Sequence, residues 1–166
     1  MLHVVERKGT PLLYVLETRI PVPQNLAPQW ETPPDNTPLP DDAFKALVVL
    51  RGPLNRMKAG EKKTIMVSVT NISATVWPLY SVESNKYGVR LGNHWLDENG
   101  GVTEVDYDRG DLFEDLPPGG QTELKLNITA PSQSGRYVLE VDMVQEHVSW
   151  FALRGSSPLR IAMQIE

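Results

Sequence analysis

Three histidines, His3, His94 and His147, are the side chains of this sequence that could act as bases near neutral pH. They are far apart along the chain, and none lies in a motif that joins a base to a nucleophile. The G-x-S-x-G nucleophile elbow, the phosphate-binding loop and the metal-binding H-E-x-x-H helix are absent, as is cysteine. The residues therefore predict a non-catalytic chain that carries no catalytic residues, no cofactor and no assembled metal site.

Carboxylates gather in one segment that could bind a hard cation. Its acidic residues are Asp106, Asp108, Asp111, Glu114 and Asp115. The spacing lacks the glycine and the terminal glutamate of an EF-hand loop, so a solvated loop is the simpler interpretation and calcium binding is an alternative. A second possible metal group would need separate strands to meet at one sheet end. Its members would be His94, Asp142, Glu146 and His147.

Aromatic and planar polar side chains give a clearer indication of binding. Neighbouring residues of an extended chain point to opposite sides, so one of Trp150 and Phe151 should be exposed at a loop rim. Its ring could stack on a sugar or on the apolar surface of a partner, and the structural alternative is a lid over the end of the sandwich. The outward positions of two predicted strands add planar hydrogen-bonding groups, a mixture that suits a ligand site. The predicted ligand-binding residues are Arg90, His94, Glu140, Asp142, Trp150 and Phe151.

The elements that must position these side chains are β-strands. From Phe44 onward, apolar residues alternate with polar ones between glycine and proline turns, which is typical of an all-β sandwich. Ile65, Val67 and Val69 should form one core face, and Trp95 should plug the core from another strand. The predicted strands are 46–50, 63–70, 88–96, 102–105, 124–128, 135–143 and 159–165. About seven strands with short connections predict an antiparallel β-sandwich of immunoglobulin-like type.

The segment before the sandwich has a different composition. Eight of the 14 prolines lie between Pro11 and Pro40, and proline fixes φ and removes a hydrogen-bond donor. Residues 1–43 are therefore predicted to be an N-terminal segment with an extended proline-rich linker, and residues 44–166 the sandwich. The β-prone run 12–16 could pair with a sandwich edge or belong to a preceding domain.

Charge and hydropathy limit the classes of partner and the cellular locations that are expected for this chain. The 21 acidic residues outnumber the 16 lysines and arginines and give a net charge of −5, so nucleic acid and anionic membranes are disfavoured. No apolar run reaches the length of a membrane helix, and the first residues do not read as an export signal. These features favour the cytoplasm but leave the location open. The triplets at Asn71 and Asn127 match the glycosylation acceptor motif, which often arises by chance.

Several motifs together resemble a known kind of module. They are 69–73 (VTNIS) with 76–78 (VWP), 89–97 (VRLGNHWLD), 116–119 (LPPG), 130–131 (AP) with 135–137 (GRY), and 142–151 (DMVQEHVSWF). The set resembles the immunoglobulin-like accessory modules appended to bacterial glycosyltransferases and methyltransferases of surface-polysaccharide synthesis, and more distantly the four-tryptophan domain of selective-autophagy receptors. The resemblance implies an accessory module without catalytic residues of its own. Residues 2–8 look like the last strand of an upstream methyltransferase-type domain.

Three functions follow from these observations. The first is a module that binds a polysaccharide or other glycan near a partner enzyme. The second is a protein-interaction or spacer module, since a sandwich leaves exposed edge strands. The third, a stand-alone hydrolase, would need its carboxylates clustered in a cleft.

Overall fold

A computed structural model describes residues 37–80 and 87–166, with the backbone alone for residues 104–107. The leader up to residue 36 lies outside the described residues, as does most of the predicted linker. Within the described part, no helix is long and apolar enough to cross a membrane.

The described chain is all-β. Its strands are β1 (Ala46–Arg51), β2 (Arg56–Met57), β3 (Lys62–Asn71), β4 (Val89–Leu96), β5 (Val102–Asp111), β6 (Gln121–Thr129), β7 (Gly135–Gln145), β8 (Ser149–Trp150) and β9 (Leu159–Ile165). One 3-10 turn, Asp41–Ala43, precedes β1, and another, Ala152–Arg154, lies between β8 and β9. The two-residue strands β2 and β8 were not predicted. The seven longer strands match those that the alternating pattern predicts, except that β5 continues to Asp111 through residues 106–111, which were predicted to belong to a solvated acidic loop.

The strands form two sheets in an immunoglobulin-like sandwich, which confirms the predicted fold. The small sheet has the order β1-β3-β6, and the large sheet has the order β2-β9-β7-β4-β5, with β8 added beside the end of β7. All pairs are antiparallel except β2 with β9. β7 lies in the middle of the large sheet, so its outward side chains have neighbours on both sides.

The core lies between the two sheets and follows the period-two pattern. Ile65, Val67 and Val69 of β3 are buried, as predicted, and Trp95 of β4 is fully buried as well. The buried residues begin upstream of the predicted sandwich start, because Leu39 and Ala43 belong to the same core cluster. Burial of these side chains is the main stabilising term of a chain without disulfides.

One buried asparagine fixes the loops at an end of the sandwich. Asn71 Nδ2 donates to the carbonyls of Thr75 and Leu116 at 2.8 and 2.9 Å, and Asn71 Oδ1 accepts from the Ser73 hydroxyl at 2.7 Å. The side chain has no exposed surface. The acceptor triplet at Asn71 therefore reflects a structural requirement of the turn.

Candidate ligand-binding surface on the large sheet

Strand register brings four of the predicted residues onto the outer face of the large sheet. His94 of β4 lies opposite Glu140 of β7, and Gly92 lies opposite Asp142. Arg90 precedes Gly92 by two positions on β4. Since directly paired residues and residues two apart share a face, Arg90, His94, Glu140 and Asp142 lie on one surface.

Trp150 covers this surface at the level of Gly92. A Cβ atom built on Gly92 would lie 2.7 Å from Trp150 Cη2, so only glycine leaves room for the indole. The Trp150 ring lies 4.1 Å from the His94 ring, centroid to centroid, and the Arg109 guanidinium carbon lies 5.3 Å from its centre. The indole is thus half-buried and flanked on the outer face by a histidine and an arginine.

Phe151 lies on the other side of the chain. It is fully buried and makes edge-on ring contacts with Phe44 and Trp77, each at 5.0 Å between centroids. The alternation rule held for the pair, with Trp150 outward and Phe151 inward. Phe151 consequently cannot touch a ligand on the outer face, and its inclusion among the ligand-binding residues is corrected.

Asp142 supports the surface from below. Its Oδ1 accepts a hydrogen bond from the Met143 N–H and its Oδ2 accepts one from the Ala152 N–H, both at 2.8 Å. Burial raises the pKa of Asp142 to about 6, an effect that the two backbone N–H groups oppose in part. Because only 1% of the residue is exposed, Asp142 anchors the segment after Trp150 and offers little surface to a ligand.

His94 and Glu140 lie side by side on the paired strands β4 and β7. His94 Nδ1 lies 3.9 Å from Glu140, and Arg160 of β9 donates to the same carboxylate at 2.8 Å. Burial lowers the pKa of His94, with a smaller lowering by Arg109 and an opposing effect of Glu140. His94 is therefore mainly neutral at pH 7.

A second group of ion pairs lies on the far side of Trp150. Arg109 donates to Glu146 at 2.8 Å, and Arg90 donates to Asp111 at 2.6 Å while lying 3.6 Å from Glu146. Arg90 also stacks on the Tyr80 ring at 4.4 Å. The sequence interpretation missed Arg109, Arg160 and Gly92. A glycine inside a strand often marks a close approach, so Gly92 alone carried a usable signal.

A shallow groove continues the surface along the strands. Its volume is about 420 Å³, and it is lined by Asn55, Glu98, Arg136, Tyr137, Val138, Ala162, Met163 and Gln164. Val138 and Ala162 are paired across β7 and β9, two positions from the Glu140–Arg160 pair. Asp142 and Arg136 are six positions apart on β7, which corresponds to about 20 Å. Trp150 and the groove therefore lie on the same outer face, about 20 Å apart along the strands, and this face from Trp150 to the groove is here called the outer-sheet surface.

The described side chains assemble no metal group of three or more histidine, aspartate or glutamate residues. Asp111 is paired with Arg90, and Asp115 accepts the Leu79 N–H at 2.9 Å. The side chain of Asp106 lies outside the described set. The calcium alternative thus gains no support from the described part of the acidic segment.

No protein-family model and no curated protein matches this chain. Among solved structures, the CARDB domain of the PF1109 protein from Pyrococcus furiosus, in complex with di-metal ions, aligns with a TM-score of 0.42 and 11% identity over 74% of this chain and 86% of that one. Spo0M, a sporulation control protein from Bacillus subtilis, gives 0.43 and 12% over 74% and 49%. A β-glucosidase from Listeria innocua in complex with glucose gives 0.39 and 10% over 72% and 16%. At these scores the matches assign no ligand or activity to this chain.

Proposed function

We propose that this chain is a non-catalytic carbohydrate-binding module whose ligand lies along the outer-sheet surface. The observation that carries the proposal is the position of Trp150, which is held on Gly92 of the outer sheet face with His94 beside it and Arg109 over its ring. A fixed indole can stack on the apolar face of a sugar ring at little cost in side-chain entropy. We also propose that the module acts in bacterial surface-polysaccharide synthesis, next to a glycosyltransferase or methyltransferase. This part of the proposal rests on the sequence resemblance alone.

The polar groups of the groove support a neutral glycan. Arg136 and Glu98 of the groove contribute opposite charges, and Arg160 is matched by Glu140 between the groove and Trp150. Asn55 and Gln164 add amides that both donate and accept. Hydroxyl groups of a sugar use donors and acceptors equally, whereas a polyanion would meet the carboxylates of Glu98 and Glu140.

The carboxylates of this surface support a binding role over catalysis. Asp142 holds two backbone N–H groups, Glu140 holds Arg160, and Glu146 holds Arg109. Each of these three is therefore committed to a partner that fixes the local structure, and Glu98 is the one carboxylate of the groove lining without such a partner among the described residues. A glycosidase pair would instead need one carboxylate available as acid and another as base or nucleophile.

Titration with neutral and acidic oligosaccharides, followed by tryptophan fluorescence and amide chemical shifts, tests the proposal. Trp77 and Trp95 are fully buried, so among the described tryptophans a ligand should change the emission of Trp150. We expect binding of a neutral oligosaccharide to weaken at least tenfold in Trp150→Ala and to stay unchanged in Phe113→Ser, an exposed aromatic elsewhere. Silence across the panel, or equal binding by Trp150→Ala, would refute the proposal.

A protein-interaction role is the second candidate, and Phe113 favours it. This ring is 81% exposed, although its neighbour Leu112 is buried. Leu79 lies nearby, because its N–H donates to the Asp115 carboxylate. The Leu79 side chain is partly exposed. Such a ring, beside Glu114 and Asp115, would fit an apolar pocket with a basic rim. A partner captured by the chain should be lost with Phe113→Ser and kept with Trp150→Ala; the reverse pattern would count against this candidate.

A further inference from the structure

The outer edge of β1 has backbone groups that no other described residue uses. The Ile72 N–H donates to the Lys45 carbonyl at 3.0 Å, and β1 pairs with β3 without a register shift. Antiparallel bonding alternates along a strand. The odd-numbered residues of β1 therefore bond to β3, and the N–H and C=O groups of Ala46, Val48 and Leu50 point to the free edge.

Ser156 occupies only the first of these three positions. Its Oγ accepts the Ala46 N–H at 3.0 Å and donates to the Ala46 carbonyl at 3.5 Å. Within the described residues, no group bonds the edge-facing N–H or C=O of Val48 or Leu50. Two consecutive bonding positions are thus left open beside a side-chain cap.

The usual defences of an edge strand are missing here. Between Ala46 and Leu50 there is no proline, no bulge and no charged residue, and Leu47 and Val49 are 52% and 41% exposed. Arg51 follows at the end, but it is paired with Glu123 at 3.1 Å. An apolar edge with open backbone groups is a template for another strand.

We propose that a second copy of this chain pairs with this edge, β1 against β1 and antiparallel, with Val49 on the twofold axis. In this register Val48 bonds Leu50 of the second copy and Leu50 bonds its Val48, so four hydrogen bonds use all the open groups. Ala46 lies opposite Gly52 of the second copy, beyond the end of that strand, and keeps its bonds to Ser156. A register centred on Val48 would instead place Leu50 of the second copy opposite Ala46. Ser156 already bonds the edge-facing groups of Ala46, so it would block this register.

The exposed side chains fit the same register. Val49 meets Val49 of the second copy, and Leu47 lies opposite the aliphatic part of Arg51. The small sheets join into one six-stranded sheet, and both large sheets lie on one side of it. If the proposed carbohydrate function holds, two outer-sheet surfaces would then engage one polysaccharide with a gain in avidity.

The absence of cysteine from the chain allows a direct test by cross-linking. In the proposed register the two Val49 residues form a non-hydrogen-bonded pair with Cα atoms about 4.5 Å apart, which a disulfide can span. We expect mild oxidation to convert the full-length Val49→Cys variant to a covalent dimer. Leu47→Cys should stay monomeric, because the two Leu47 residues are offset by four positions, about 13 Å along the strand.

Sedimentation of the unmodified chain provides the second readout. Self-association should weaken at least tenfold in Val49→Glu, which places two carboxylates together on the axis. It should persist in Ile72→Glu, where a somewhat more exposed apolar residue lies off the edge. Failure of Val49→Cys to cross-link, equal cross-linking of Leu47→Cys, or unchanged association of Val49→Glu would each overturn the proposal. Loss of glycan binding by the outer-sheet surface would leave these results unaffected.

Discussion

Asp142 combines deep burial with two backbone hydrogen bonds, and its titration has a definite direction. Burial raises the pKa of Asp142 to about 6 from an ordinary value of 3.8. The folded protein therefore keeps this proton where the unfolded chain has lost it. The corresponding stability is present below pH 4 and is lost as the pH rises to 6 and beyond.

Replacing Asp142 by asparagine should remove this pH dependence. Asparagine cannot ionise, and its amide nitrogen would face one of the two N–H donors, which adds a cost independent of pH. Between pH 4 and pH 7 we expect the free energy of unfolding of the unmodified chain to fall by about 2 kcal/mol relative to Asp142→Asn. Urea unfolding of both proteins at each pH measures the difference. Parallel pH profiles would show that Asp142 titrates near its ordinary pKa.

Single residues show where prediction from the sequence ends. Strand alternation was enough to place Arg90 and His94 on one face of β4, and Glu140 and Asp142 on one face of β7. The pairing of β4 with β7, which brings the two sets together, is tertiary and leaves no such pattern. Alternation also could not show that Asp142 lies beneath the chain after β8, because that contact depends on the 3-10 turn at Ala152. Opposite orientations for Trp150 and Phe151 were predictable, but which one faces the core was not.

The seven long strands could be predicted from the sequence, whereas the two-residue strands could not. The seven long strands have several alternating positions each, and burial of one face fixes their register. β2 and β8 have two residues each. They form because they pair with the ends of β9 and β7, respectively. Such tertiary pairing leaves no pattern in the sequence. The groove lined by Val138 and Ala162 has the same origin, since it requires β7 and β9 to be neighbours.

β7 also holds loops through its last residue, Gln145. The buried Gln145 Oε1 accepts the Leu39 N–H at 2.9 Å, and Nε2 donates to the Tyr87 carbonyl at 2.8 Å. Gln145→Leu leaves both backbone groups without a partner, so we expect a loss of about 3 kcal/mol in the free energy of unfolding. Hydrogen exchange at the Leu39 amide should accelerate.

A matched control for Gln145 is available on β6. Gln121 also uses its amide, donating to the Ser68 hydroxyl at 2.7 Å, but its side chain is exposed. Gln121→Leu should therefore cost less than about 1 kcal/mol. Equal losses in the two variants, or an unchanged Leu39 exchange rate in Gln145→Leu, would mean that Gln145 does not hold the loops.

At the scale of the whole molecule, three aromatic rings join segments from both sheets. Phe44 precedes β1 of the small sheet, Trp77 follows β3, and Phe151 follows β8 of the large sheet. Phe151 contacts both other rings, and Trp77 Nε1 donates to the Ala43 carbonyl at 2.9 Å. In a chain without disulfides, this cluster is a main connection between the layers.

Phe151→Ala should therefore destabilise both sheets together. Removing a fully buried ring costs about 3 to 5 kcal/mol, and the loss is shared because the neighbouring rings belong to different segments. Denaturation followed by far-ultraviolet circular dichroism and by tryptophan fluorescence should show one coincident transition at lower denaturant, whereas Phe113→Ala, whose ring is exposed, should match the unmodified chain. Two separated transitions, or a loss below 1 kcal/mol, would show that the layers are held together elsewhere and that Phe151 only packs locally beneath Trp150.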